Sequence, residues 1–290
     1  AVYNGKLYFQ AVDPDLGWEL FSYDGVNPPV LEQDIWPGSR GSNVARLRVF
    51  NGKLVFQALS EGVGAELWEY DGATLTMLPE IEPGTGSTNM GEMIEFNGKL
   101  YFSAREGWGN TGHGNELWVY DGVNAPALVA DIYPGYKSSH PLSFGIYKGK
   151  LYFDADDGVY GKELWRYDGV NPPERVSDVA PGSAWFSLQS FFAYKGKLYF
   201  RGYTDEFGAE LWAYSYIDFT VTTGSVSGVT AVSAQCGGEV TADPDMNVTA
   251  RGMCWSTSPN PTLADSYSED GTGAGSFSSS LTGLEPATVY

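Results

Sequence analysis

The sequence predicts an all-β chain in two parts, and three observations predict it. A unit of about 47 residues recurs five times, Asn-Gly and Asp-Gly pairs sit between alternating apolar runs, and no apolar run has helical spacing. Each unit reads as a four-stranded antiparallel meander, the blade of a β-propeller. The remaining quarter reads as an incomplete β-sandwich.

The elements follow in order along the repeat. The string Tyr3-Asn4-Gly5-Lys6-Leu7-Tyr8-Phe9 returns at Phe50–Phe56, Phe96–Phe102, Tyr147–Phe153 and Tyr194–Phe200. Its turn glycines, Gly5, Gly52, Gly98, Gly149 and Gly196, are spaced by 47, 46, 51 and 47 residues. Asn-Gly and Lys-Gly between apolar runs predict two-residue hairpins, whose type I′ turn needs positive φ at both central residues. These hairpins join the first strand of each blade to the second.

The third strand carries Glu-Leu-Trp, at Glu66–Trp68, Glu116–Trp118, Glu163–Trp165 and Glu210–Trp212, with Glu19-Leu20-Phe21 in the first unit. Tyr-Asp-Gly ends it, at Gly25, Gly72, Gly122 and Gly169. The fourth strand runs into Asp34-Ile35-Trp36-Pro37-Gly38 and its counterparts Glu80–Gly84, Asp131–Gly135 and Asp178–Gly182. A Trp at fixed phase in every unit reads as core between neighbouring blades, because an aromatic side chain buries about 150–250 Å².

The units run over about 1–48, 49–95, 96–146, 147–193 and 194–218, so the propeller spans 1–218 and the second module 219–290. The first unit has only Ala1-Val2 before its first hairpin string, and the fifth has no fourth-strand string. Those complementary gaps predict a native protein that continues on the N-terminal side, with blade total and ring closure open. After Phe219 the composition turns to Ser, Thr and Gly. Alternating runs at Thr220–Thr223, Ser233–Ala242, Thr249–Thr257 and Ser276–Leu281 predict sandwich strands, and two more strands are expected beyond Tyr290.

Charge narrows the function. Seventeen basic residues against 36 acidic ones give a net charge of −19. Phosphate binding needs clustered Lys and Arg, so nucleic acid is excluded as a partner, and an anionic membrane surface is disfavoured. No run reaches the roughly 18 apolar residues of a membrane-spanning helix.

The repeat strings resemble those of bacterial ELWxxDGT-repeat proteins, over about residues 1–214. The departures are Phe21 for Trp, Glu80 for Asp, and a fifth unit without the Asp-Gly and Asp-Ile-x-Pro-Gly strings. Residues 220–290 resemble a fibronectin type III-like module of Bacteroidota surface proteins, on Cys236–Thr241, Val248–Thr257 and Ser279–Pro286, with Leu281–Tyr290 approaching a tyrosine corner. The resemblance implies export, by the type IX route, to the outer surface of a Gram-negative bacterium. In that compartment Cys236 and Cys254 are a disulfide candidate; the competing reading makes them buried apolar residues.

Candidate chemistry lies in loops. Each hairpin between second and third strands carries carboxylates: Asp13 and Asp15, Glu61, Glu106, Asp156 and Asp157, Asp205 and Glu206. Oxygen-rich loops suit Ca²⁺. Asp154, Asp156 and Asp157 come nearest to a calcium loop, with Asp243-Pro244-Asp245-Met246-Asn247 second; solvated turn acids are the competing reading. The expected inner strands, 43–50, 89–96, 141–147 and 186–194, hold only Glu92 and Glu95 as candidate catalytic carboxylates. His113 and His140 stand in loops without a nucleophile or ligand spacing. The reading is therefore non-enzymatic.

Trp36, Trp108, Tyr133 and Trp185 are loop aromatics without a counterpart in every blade, suited to stacking on a sugar, anchoring a partner or capping a blade contact. Two functions follow. The first is an adhesin-like surface scaffold that contacts other surface or matrix proteins. The second is a glycan-binding propeller.

Overall fold

The computed structural model describes residues 1–107, 111–176, 187–216, 219–242 and 247–290. Those residues are all strand and loop, with no helix among them. The chain divides into two compact units, Ala1–Tyr214 and Ser215–Tyr290.

Among the described residues the first unit holds five antiparallel sheets. Sheet one is β1 (Val2–Tyr3), β2 (Lys6–Asp13), β3 (Gly17–Tyr23) and β4 (Val30–Gln33). Sheet two is β5 (Ala45–Phe50), β6 (Lys53–Ser60), β7 (Val63–Tyr70) and β8 (Leu75–Met77). Sheet three is β9 (Met93–Phe96), β10 (Lys99–Glu106), β11 (Gly114–Tyr120) and β12 (Ala127–Ala130). Sheet four is β13 (Leu142–Tyr147), β14 (Lys150–Asp156), β15 (Lys162–Tyr167) and β16 (Glu174–Arg175). Sheet five has three described strands, β17 (Ser187–Tyr194), β18 (Lys197–Thr204) and β19 (Gly208–Tyr214).

Strand order follows chain order in every sheet, so each is a meander. The first strands meet in succession: β5 adjoins β9, β9 adjoins β13, and β13 adjoins β17. Sheets that share an inner edge in this way are blades set about an axis. The hairpin turns have the left-handed pairs their sequence demands, from Asn4 (φ 46°) and Gly5 (φ 77°) to Lys195 (φ 43°) and Gly196 (φ 73°).

The core is made of seams between sheets. Tyr3, Tyr8, Leu20 and Ile35 of the first unit pack with Val44, Leu54, Phe56, Ala58 and Tyr70 of the second, with Trp68 against them. Trp118 and Tyr120 join Phe50, Val55 and Leu67 in the next seam, and Trp165 joins Phe96, Tyr101 and Leu117 in the one after. The repeated Trp therefore faces the preceding blade. At the opposite end of the same strand, Asp24, Asp121 and Asp168 each accept two backbone N–H bonds and one Asn side-chain bond within their turns. The Asn donors, then the backbone ones, hold these carboxyls down at about 2.

The second unit pairs β20 (Phe219–Thr223), β21 (Ser233–Ala242) and β24 (Gly275–Thr282) in one sheet, and β22 (Cys254–Trp255) with β23 (Ser266–Tyr267) in another. Only Cys254–Trp255 forms strand where Thr249–Thr257 was expected. Cys236 and Cys254, the disulfide candidate, are both free cysteines in this structure. Met253 and Trp255 pack on the cluster of Ala234, Cys236 and Leu281. Strand alternation then turns Cys254, between them, to the other side.

Candidate functional site

The loops that follow the fourth strands carry the candidate site, and buried glutamates hold them. Glu19, on β3, is fully buried. Its Oε2 accepts from Ile35 N–H at 2.9 Å and Ser42 Oγ at 2.6 Å, and its Oε1 accepts from Ser42 N–H at 2.8 Å. One carboxylate thus fixes the whole crossing from sheet one to sheet two. Glu116 repeats the arrangement with Ile132 and Ser139. Glu66 keeps only part of it: Oε2 accepts from Ile81 N–H at 3.1 Å, and Oε1 has no partner. Thr88 stands where Ser42 and Ser139 stand, and its hydroxyl donates instead to Ala65 O. Burial first, with Glu80 and Glu82 adding to it, pushes Glu66 up to about 7. Burial does the same to Glu116 against its hydrogen bonds from Ser139 and Ile132. These glutamates position loops; they are closed to ligand.

The residue after Ile35, Ile81 and Ile132 differs in each crossing, and there the sites diverge. Glu82 receives Gly107 N–H from the β10–β11 hairpin. Tyr133 lies directly on Gly158 of the β14–β15 hairpin, so closely that a methyl on Gly158 would fall 2.3 Å from the ring. Trp36 does not close its gap. Between it and the β6–β7 hairpin lies a cleft of about 570 Å³, lined by Trp36, Arg40, Leu59, Glu61, Val63 and Thr85 among others. The Arg40 guanidinium lies 5.7 Å from the Trp36 ring centroid. The cleft therefore offers an apolar aromatic face beside one cation and one carboxylate, the mix of apolar wall and few polar groups that small ligands use.

Among the described residues the other expected site residues do not assemble. Trp108, Trp185 and the Asp243–Met246 segment lie outside the described residues. Tyr133 is spent on Gly158. The geometry does not support a calcium loop at Asp154, Asp156 and Asp157. Asp154 is buried, with Leu142 N–H on Oδ1 at 2.9 Å and Lys162 Nζ on Oδ2 at 2.7 Å. Asp156 and Asp157 accept backbone N–H bonds from Gly158, Val159 and Tyr160 in their own turn. Among the described residues no three His, Cys, Asp or Glu side chains converge as metal ligands. Glu92 and Glu95 are both exposed. His113 is less isolated than its sequence context indicated, with Nδ1 at 3.2 Å from Asp131 and Nε2 at 3.6 Å from Glu106.

Two groups escaped sequence reasoning. The Glu of Glu-Leu-Trp sits within a strand pattern, and its repetition at fixed phase is the signal of a buried structural bond. Arg40 belongs to no repeat string, so nothing in the sequence marks it.

No family model matches this chain, and no curated protein matches it. Among solved structures, it is similar to the β-propeller domain of the Trilobed protease from Pyrococcus furiosus, described as having an open velcro topology. The identity is 11% and the TM-score 0.43, over 83% of this chain and 79% of that one. It is also similar to Aleuria aurantia lectin in complex with alpha-methyl-L-fucoside, at 17% identity and TM-score 0.35 over 71% and 72% of the two chains. The SapL1 lectin in complex with alpha methyl fucoside gives 12% and 0.38 over 93% and 92%. At these identities the likeness concerns the fold.

Proposed function

We propose that this chain is a non-catalytic interaction module of an exported surface protein, and that it binds carbohydrate in the cleft beside Trp36. The observation that carries the reading is the unfilled gap itself. In the next two crossings the equivalent side chain closes on the neighbouring hairpin, whereas Trp36 leaves about 570 Å³ open. An indole face stacks on the C–H face of a sugar ring, and Arg40 and Glu61 supply a donor fork and an acceptor for its hydroxyls. The export expected from the repeat resemblance supports a surface ligand.

The test is a glycan array on the intact chain, followed by calorimetry on the best ligand with Trp36→Ala. The expected result is a saccharide whose affinity falls at least about tenfold in the variant while its melting temperature holds. An array without a single bound saccharide, or a variant that binds like the parent, overturns the proposal.

A scaffold held by protein contacts is the second reading, and the fifth sheet favours it. Leu211 is 75% exposed, whereas Leu20, Leu67, Leu117 and Leu164 at the same repeat position are 0–1% exposed. A face built for burial is open there.

A further inference from the structure

Next to the Trp36 cleft, across Leu59, lies a second cavity of about 350 Å³ at the inner edge of sheets two and three, lined by Asn43, Arg46, Gln57 and Asn89 among others. Arg46 is held firmly there. Its Nε donates to Gly91 O at 2.7 Å and its Nη1 to Gln57 Oε1 at 3.1 Å. Gln57 is itself fixed, because its Nε2 donates to Thr88 Oγ1 at 3.2 Å. The Arg46 backbone sits in the left-handed region, at φ 58°, where a non-glycine residue is strained.

Sheet four shows what the fold requires at this position. Ser143, also left-handed at φ 52°, donates its hydroxyl to Leu188 O at 3.0 Å. Both bonds span 45 residues and tie one inner strand to the next blade, Arg46 to the segment just before β9 and Ser143 to β17. A serine hydroxyl is sufficient for that tie. Arg46 makes it with Nε and has Nη2 left over, with no acceptor among the described residues.

The local charge agrees. In a chain of net charge −19, residues 35–60 contain Arg40, Arg46, Arg48 and Lys53 and no acidic residue. Lys53 pairs with Glu69. Among the described residues no ion pair engages Arg40, Arg46 or Arg48. An orientated guanidinium with free N–H groups and no carboxylate of its own is a receptor for one, since its planar fork matches a carboxylate.

We propose that this cavity is a subsite for the carboxylate of a uronic acid residue, in an oligosaccharide whose neighbouring sugar stacks on Trp36. The inference rests on the carbohydrate reading of the Trp36 cleft and adds the ligand's acidic character to it.

The test compares an oligouronide with its carboxyl-reduced neutral counterpart by calorimetry on the intact chain. Wild-type protein is expected to prefer the acidic form by about tenfold, with the preference shrinking as salt rises. Arg46→Ser retains the hydroxyl tie seen at Ser143, so the fold should hold. This variant is expected to bind both forms with the neutral affinity. Trp36→Ala is expected to weaken both. Equal wild-type binding of the two forms, or an acidic preference that survives Arg46→Ser, overturns the subsite while leaving the Trp36 reading intact. Absence of any Trp36-dependent binding overturns both.

Discussion

Ser139 Oγ donates to Glu116 Oε2 at 2.6 Å while Ser139 N–H donates to Oε1 of the same carboxylate at 2.8 Å. A residue on the third strand of one blade thereby grips the start of the next. Both are fully buried. Removing the hydroxyl deletes one bond of three, so Ser139→Ala should cost about 1–2 kcal/mol. Glu116→Ala strands the N–H groups of Ile132 and Ser139 together with that hydroxyl and should cost about 3–5 kcal/mol. Urea unfolding midpoints of the two variants measure the difference.

Glu66 makes the seam between sheets two and three sensitive to pH. Burial raises its carboxyl from 4.5 to about 7, outweighing the backbone hydrogen bonds from Ile81 and Glu82 that hold it down. Between those two values the folded protein holds a proton that the unfolded chain has released. Stability is therefore present in full below about pH 4.5, falls as pH rises to about 7, and is level above it, by about 2–3 kcal/mol for this group. Glu116 shifts in the same direction. Thermal melts from pH 5 to 8 should show a falling transition temperature that flattens in part in Glu66→Gln.

The blades were legible because their signals are local. Asn-Gly and Lys-Gly fix turn type through φ alone, and the period-two runs beside them placed β6, β10, β14 and β18 directly. The seams were legible as aromatic phase, since Trp68, Trp118 and Trp165 recur at one position. What escaped needed partners far along the chain. Nothing near Arg46 in sequence announces Gly91 O, and nothing near Trp36 says that its gap stays open while that of Tyr133 closes on Gly158. The glutamates were hidden by their type, because Glu is rarely buried unless paired, and only their fixed phase gave them away. The alternation Met253-Cys254-Trp255 already carried the answer for the cysteines, since two large apolar neighbours claim the core side of the strand.

That alternation makes a chemical prediction. With Cys236 buried and Cys254 turned away from it, neither thiol is in a disulfide. Unfolded without reductant, the protein should take up two equivalents of alkylating reagent by mass. In the native state Cys254, which is half-buried, should react well before Cys236. A protein that takes up reagent only after reduction would place the two sulfurs together.

The leucine of Glu-Leu-Trp gives the sharpest contrast within one repeat position. Leu117 is fully buried in the seam between sheets three and four, where truncation leaves a cavity; Leu117→Ala should cost about 2–5 kcal/mol. Leu211 occupies the same phase on β19 but is 75% exposed, so Leu211→Ala should change stability by less than about 0.5 kcal/mol. Chemical unfolding at two protein concentrations separates the possibilities. A small cost at both means that the fifth sheet's outer face is bare in solution. A cost for Leu211→Ala that grows with concentration means that a second copy of the chain covers this face, because only association makes apparent stability depend on concentration.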